Sequence, residues 1–148
     1  MQMNQTDRKV TALLFCFSGI CYNFLELCWR GRTHWTMTLL GGVCFYVIGQ
    51  IKKLPLRFSL RCVFCAVFVT IAELLCGIVC NLWLRWGIWD YSNMPMNVLG
   101  QICLPFSALW LLVCAIAMPL YDLLQRQLVS GQKLLDKPNV RERKAASA

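Results

Sequence analysis

Two carboxylates carry the clearest chemical potential in this sequence. Glu26 and Glu73 both lie inside long apolar runs. At bilayer depth an ionised side chain costs ~2.5–3.5 kcal/mol on insertion scales, so it faces a partner or a cavity. Glu26 shares a helical stripe with Tyr22, Asn23 and Arg30, because positions three and four apart stack. Arg30 on the same helix is therefore placed to neutralise it. Glu73 shares a face with Thr70 and Gly77 and has no cation within one turn. It must be protonated or paired with a residue of another helix, which makes it the stronger functional candidate. Gln50 falls in line with Gly42, Tyr46 and Gly49, and Asn97 and Gln101 fall in line with Pro105. Small residues allow close helix approach and amides hydrogen-bond across it, so these stripes serve either as glue in a bundle or as the lining of a substrate cavity.

A second constellation runs from Leu84 to Asn97. Gly87 and Pro95 break helix, while Trp86, Trp89 and Tyr91 suit the headgroup level of a membrane. Arg85 can pair with Asp90, or join Arg30 and Arg32 in attracting an anionic headgroup or solute. Arg85, Trp89, Asp90, Tyr91, Asn93 and Pro95 are the candidates for an outer gate or for headgroup contacts.

The elements that must position these residues follow from composition. Hydrophobic residues make up 58% of the 148 and charged residues 15%, with mean hydropathy +0.54. Soluble domains run nearer ~25% charged, so a secreted domain, a cytosolic enzyme and a disordered regulator are excluded. A helix crosses the hydrocarbon in about 20 residues. Four apolar runs approach that length, at about 10–29, 35–51, 58–84 and 98–121. The first has no small-residue cleavage site and is expected to be retained; Pro105 and Pro119 are expected to kink the fourth. The reading is an all-α integral membrane four-helix bundle over residues 1–121, followed by a basic tail over 122–148. In the tail, Leu123, Leu124, Leu128 and Leu135 would rest on a leaflet until Gly131 and Pro138 break the helix, and Val140–Ala148 would be disordered.

The formal charge is +8, but the cations flank the apolar runs, which points to membrane topology and away from nucleic acid. Twelve lie in the N-terminal segment, the second connection and the tail; only Arg30, Arg32 and Arg85 lie on the other side. The positive-inside rule then makes both termini cytoplasmic.

The ten cysteines sit mostly in apolar runs and read as small polarisable hydrophobes. Cys62 and Cys65 have redox spacing without a preceding strand, and the single histidine, His34, leaves no complete zinc set. No metal or other cofactor is expected, and with no Ser/His/Asp arrangement visible the chain is not expected to be an enzyme.

Val47–Ile51 recurs as Val98–Ile102, and Glu26 has a counterpart in Glu73. Two duplicated helical hairpins, or chance identity among common residues, would both produce this.

The run Trp89-Asp90-Tyr91-Ser92-Asn93-Met94-Pro95-Met96-Asn97, leading into Gly100-Gln101-Ile102 with Trp110 beyond, resembles the type IV ABC-transporter (CmpB-like) family, which includes the transmembrane protein 229 group. Leu25-Glu26, Trp29-Arg30-Gly31-Arg32 and Ala72-Glu73-Leu74-Leu75-Cys76-Gly77 are similar to its pattern too, and the resemblance covers roughly residues 17–120. It implies a small multi-pass membrane protein with a transport role, and carries over Glu26, Arg30, Glu73, Trp89, Asp90, Tyr91, Pro95, Asn97 and Gln101 as candidates.

No G-x-x-x-x-G-K-[ST] phosphate loop is present, so any ATPase must be a separate subunit. The leading expectation is a transport or lipid-handling subunit in contact with membrane lipids, dimeric because four short spans enclose a small cavity. The alternatives are a proton-coupled exporter using a membrane Glu, and a non-transporting accessory or scaffold protein.

Overall fold

The computed structural model describes residues 5–135. Its fold is all-α: α1 (Gln5–Arg30), α2 (Trp35–Ile51), α3 (Phe58–Gly77) and α4 (Leu104–Leu135). A π-helical turn, Ile78–Trp83, prolongs α3, and two two-residue strands, β1 (Asn97–Val98) and β2 (Ile102–Cys103), pair antiparallel just before α4. Three helical stretches, α1, α3 with its π turn, and α4, are long and apolar enough to cross a membrane. α2, at 17 residues, is apolar but shorter.

Local chemistry accounts for the helix ends. α1 carries Asp7 in its first turn and Arg30 in its last, each sign opposite to the partial charge of that helix end. His34 caps α2, its Nδ1 accepting from the Thr36 N–H at 3.4 Å. α1 packs chiefly along α2 and α3 along α4. The four helices close over Val10, Leu14, Phe45, Ile48, Cys65, Val69, Cys114, Met118 and Tyr121. All ten cysteines are free thiols, and Cys44, Cys62, Cys65 and Cys114 belong to this core, as their hydrophobic reading anticipates.

Several boundaries depart from expectation. The fourth helix begins at Leu104, not near 98, because Leu99 and Gly100 take φ of 54° and 67°, which a right-handed helix cannot contain. Asn97, Gln101 and Pro105 therefore do not line one helical face. Pro105 does not kink α4 either; it sits in the first turn, where its missing N–H is one that would have no partner anyway. Pro119 does lie inside α4. The long third run is α-helical only to Gly77 before the π turn takes over. The two repeated pentapeptides adopt different structures, Val47–Ile51 ending α2 and Val98–Ile102 forming a turn between strands, so they are no sign of duplicated hairpins.

At the other end, α4 continues through Gly131 to Leu135. One interior glycine costs about 1 kcal/mol, too little to stop a helix whose Leu124, Leu128 and Val129 pack against the core. Of the leucines expected on a leaflet, Leu123 is exposed while Leu124 and Leu128 turn inward. Pro138 and the stretch Val140–Ala148 lie outside the described residues.

Candidate functional site

Glu73 sits sixteen residues into α3, buried at 4% exposure. Among the described residues no cation forms an ion pair with it. The Trp110 indole of α4 donates Nε1–H to Oε2 at 3.0 Å, and the Tyr91 hydroxyl donates to Oε1 at 3.3 Å. A carboxylate can accept about four hydrogen bonds, so two donors leave it capacity for another group. Tyr91 comes from the connection between the π turn and β1, so this loop folds down onto the bundle. Burial, followed by the nearby Glu73 carboxylate, pushes the Tyr91 phenol above its ordinary range, which keeps its proton in place for donation. Tyr91 stacks on Phe106 with ring centroids 4.9 Å apart, and Tyr22 of α1 stacks on Trp110 at 6.2 Å. Rings from α1 and α4 thus fix the two donors.

Glu26 is buried too and forms an ion pair with Arg30, as the i, i+4 spacing anticipates. Thr33, just beyond α1, donates its hydroxyl to Glu26 Oε2 at 3.0 Å and lies 2.8 Å from Asn23 Oδ1, while Asn23 donates to Thr38 of α2. The Arg30 guanidinium lies 6.0 Å from the centroid of the Trp89 ring and 3.5 Å from the Ile88 carbonyl oxygen. The Glu26–Arg30 pair therefore ties the end of α1 to the long loop.

That loop is built around Asn81, which the sequence reading missed. Placed in the π turn, Asn81 donates Nδ2–H to the Trp89 carbonyl at 3.0 Å and to Gln101 Oε1 at 2.8 Å, and accepts from the Ile88 N–H at 2.7 Å. The only signal available was an amide in an apolar run; the rare π geometry that aims it at the loop, of a kind common at functional sites, has no sequence signature. Gln101 is buried, its amide donating to the Leu99 carbonyl at 3.0 Å. Gly77 permits this, since a Cβ there would come 2.6 Å from Gln101 Oε1.

The other candidates divide. Trp89 was expected at headgroup level but is buried at 4%, its indole N–H donating to the Gln101 carbonyl at 2.9 Å; the indole is consumed as internal structure. Trp29, Trp35, Trp83 and Trp86 are the exposed tryptophans of that end. Asp90 does not pair with Arg85. It accepts from the Ser92 N–H and hydroxyl, which hold its carboxyl below the usual range; backbone two residues away is nearer than any extended arginine. Arg85 is exposed with φ 56°. Asn97 staples the turn, donating to the Ser92 and Met94 carbonyls and accepting from the Gly100 N–H. Asn93 and Pro95 are exposed in the same turn. Gln50 lies at the opposite end of the bundle, accepting from Lys53 Nζ at 3.0 Å, and is not part of the site. Tyr46 also departs from its stripe, exposed while Gly42 and Gly49 are buried. Trp110 and Phe106 of α4 and Thr33 beyond α1 join the site as well, and Tyr22, on the stripe of Glu26, also reaches Trp110; contacts between separate segments leave no spacing to find them by.

Next to Glu73 is a cavity of about 140 Å³ whose lining includes Ser18, Tyr22, Phe45, Val69, Glu73 and Trp110. Its walls are overwhelmingly apolar, and Glu73 is its only carboxylate. Among the described residues no group of three His, Cys, Asp or Glu side chains could hold a metal ion.

An α-helical bundle with three apolar helices of membrane-spanning length is the architecture of a membrane protein. The chain belongs to the family described as Putative ABC-transporter type IV, whose model matches residues 10–134. No curated protein and no solved structure matches it.

Proposed function

We propose that this chain is a transport or lipid-handling subunit of a membrane system, with Glu73 as its substrate-contacting group. The observation that carries the reading is the buried Glu73 carboxyl group, hydrogen-bonded by Trp110 and Tyr91, with no ion pair among the described residues, and bordering an apolar cavity. A carboxylate kept at that depth is expensive, and such residues commonly mark substrate or ion pathways. The loop that delivers Tyr91 is the outer gate: it is anchored by Asn81 and by the Arg30–Trp89 contact, so its movement would strip one donor from Glu73. The family assignment supports a transport role.

In this reading all four helices span the bilayer, α2 in a thinned or protein-covered region. Both termini are cytoplasmic by the distribution of Lys and Arg. The protein works as a homodimer, and ATP hydrolysis, where the system uses it, belongs to a separate subunit.

Native mass spectrometry of the protein extracted in mild detergent from its own membrane tests the assignment. Wild-type protein should carry a bound small ligand that Glu73→Gln loses while keeping its helical circular dichroism. Retention of the same ligand by a folded Glu73→Gln variant would refute the role.

A further inference from the structure

The cavity beside Glu73 also says what kind of molecule it takes and from where. Its lining residues on α2 and α3, among them Gly41, Cys44, Ile48 and Val69, are buried except for the half-buried Leu40. Its exposed lining residues, Phe17, Cys21, Leu25 and Leu120, all belong to α1 and α4. The mouth is therefore a seam between α1 and α4, on the flank of the bundle that faces hydrocarbon. The stacked Tyr22–Trp110 pair bridges this seam beside Glu73. A solute entering by this mouth comes out of the bilayer.

Volume and chemistry restrict the solute further. A cavity of about 140 Å³ is close to the ~150 Å³ apolar cavity known to stay dry and admit benzene. One aromatic ring or a short alkyl segment fills it. The only acidic side chain on the wall is Glu73, whose carboxylate form has capacity beyond its two donors. A neutral apolar guest would leave that capacity unused, and an anion would be repelled by it. From this geometry we propose that the site binds a lipophilic amine, its apolar group in the cavity and its ammonium against Glu73, admitted from the bilayer between α1 and α4. The proposal rests on the reading of Glu73 as the substrate-contacting group.

Binding of 4-fluorobenzylamine, protonated at neutral pH, is compared with that of its neutral isostere 4-fluorobenzyl alcohol by fluorine NMR. The full chain is held in nanodiscs of zwitterionic lipid, and partition into empty nanodiscs is subtracted. A charge pair in a desolvated site predicts about tenfold or greater preference for the amine, falling to within about twofold in Glu73→Gln. Filling the cavity with Ala117→Phe, at a lining position on α4, should remove binding of both probes. Equal binding of amine and alcohol to wild-type protein overturns the proposal, as does an amine preference that survives Glu73→Gln. If wild-type protein shows no amine preference while Glu73→Gln still loses the native ligand, only the substrate class fails and the role of Glu73 stands. If neither changes with Glu73, both fail.

Discussion

The Trp110 indole of α4 reaches the Glu73 carboxylate of α3 at 3.0 Å, a hydrogen bond between residues 37 apart in sequence. It holds a buried acid without supplying a charge, so it is the contact most exposed to mutation. Trp110→Phe keeps most of the ring and its stacking on Tyr22 while removing the N–H. Loss of one donor to a charged or strongly polar buried group should cost about 1.5–3 kcal/mol, read as a lower thermal midpoint in detergent. A midpoint equal to wild type would mean the bond contributes nothing.

Asn81 makes three contacts to the loop, to Trp89, Gln101 and Ile88. At roughly 1 kcal/mol net for each, Asn81→Ala should destabilise by about 2–4 kcal/mol. Near-ultraviolet circular dichroism should fall with it, because Trp89 and Tyr91 ride on that loop. Unchanged aromatic signal would show that the loop holds its position without Asn81.

Gly100 has φ 67°, and a Cβ on it would come 2.5 Å from Ser92 Oγ and 2.9 Å from Asp90 Oδ1. Gly100→Ala thus meets a backbone penalty and a steric one. A loss of about 1–3 kcal/mol is expected, with Gly100→Asn less severe on the backbone side because asparagine tolerates left-handed conformations. Thermal midpoints of the two variants give the ranking.

Asp90 predicts a pH dependence whose sign follows from its depressed value. Ser92 donates to the ionised carboxylate, so the folded loop binds its proton more weakly than the unfolded chain does, whose value is ~3.9. Its contribution is therefore fully present above pH ~4 and lost as pH falls through the lower folded value. The part of the tryptophan fluorescence change that depends on Asp90 should be absent from neutrality to about pH 5 and develop only in stronger acid. Asp90→Asn should remove that component, and a transition near neutrality that vanishes in this variant would contradict it.

At the opposite end Lys52 pairs with Asp122 and lies 5.2 Å from the Tyr121 ring centroid. The Asp122 side chain is 47% exposed, so solvent screens the pair. Asp122→Asn should cost no more than about 1 kcal/mol, and the difference from wild type should shrink in high salt. A larger, salt-independent loss would mean that Asp122 serves a different, buried interaction.

The helices were legible because an apolar run of membrane length can satisfy its backbone in hydrocarbon only by coiling on itself. Glu26 with Arg30 was legible for a related reason, since a pair at i and i+4 is a property of one helix. The residues from Leu84 to Cys103 were only half legible. Gly87, Pro95 and the aromatics marked a loop, but nothing local said that Trp89 turns inward or that Asp90 ignores Arg85. The repeated pentapeptide misled because Val-Leu-Gly-Gln-Ile is apolar enough for a helix, while its actual turn is held by Asn97 and the left-handed Leu99 and Gly100.

Composition and periodicity by themselves determined that this is a helical membrane protein and that Glu73 is either protonated or partnered from another helix. Tertiary structure alone decided who that partner is. Trp110 and Tyr91 reach the carboxylate from 37 and 18 residues away, and the cavity beside it is bounded by all four helices. The physical reason is range: hydropathy and helical spacing act over a few turns of one chain segment, whereas a buried acid and an empty volume are defined by which separate segments are packed against each other.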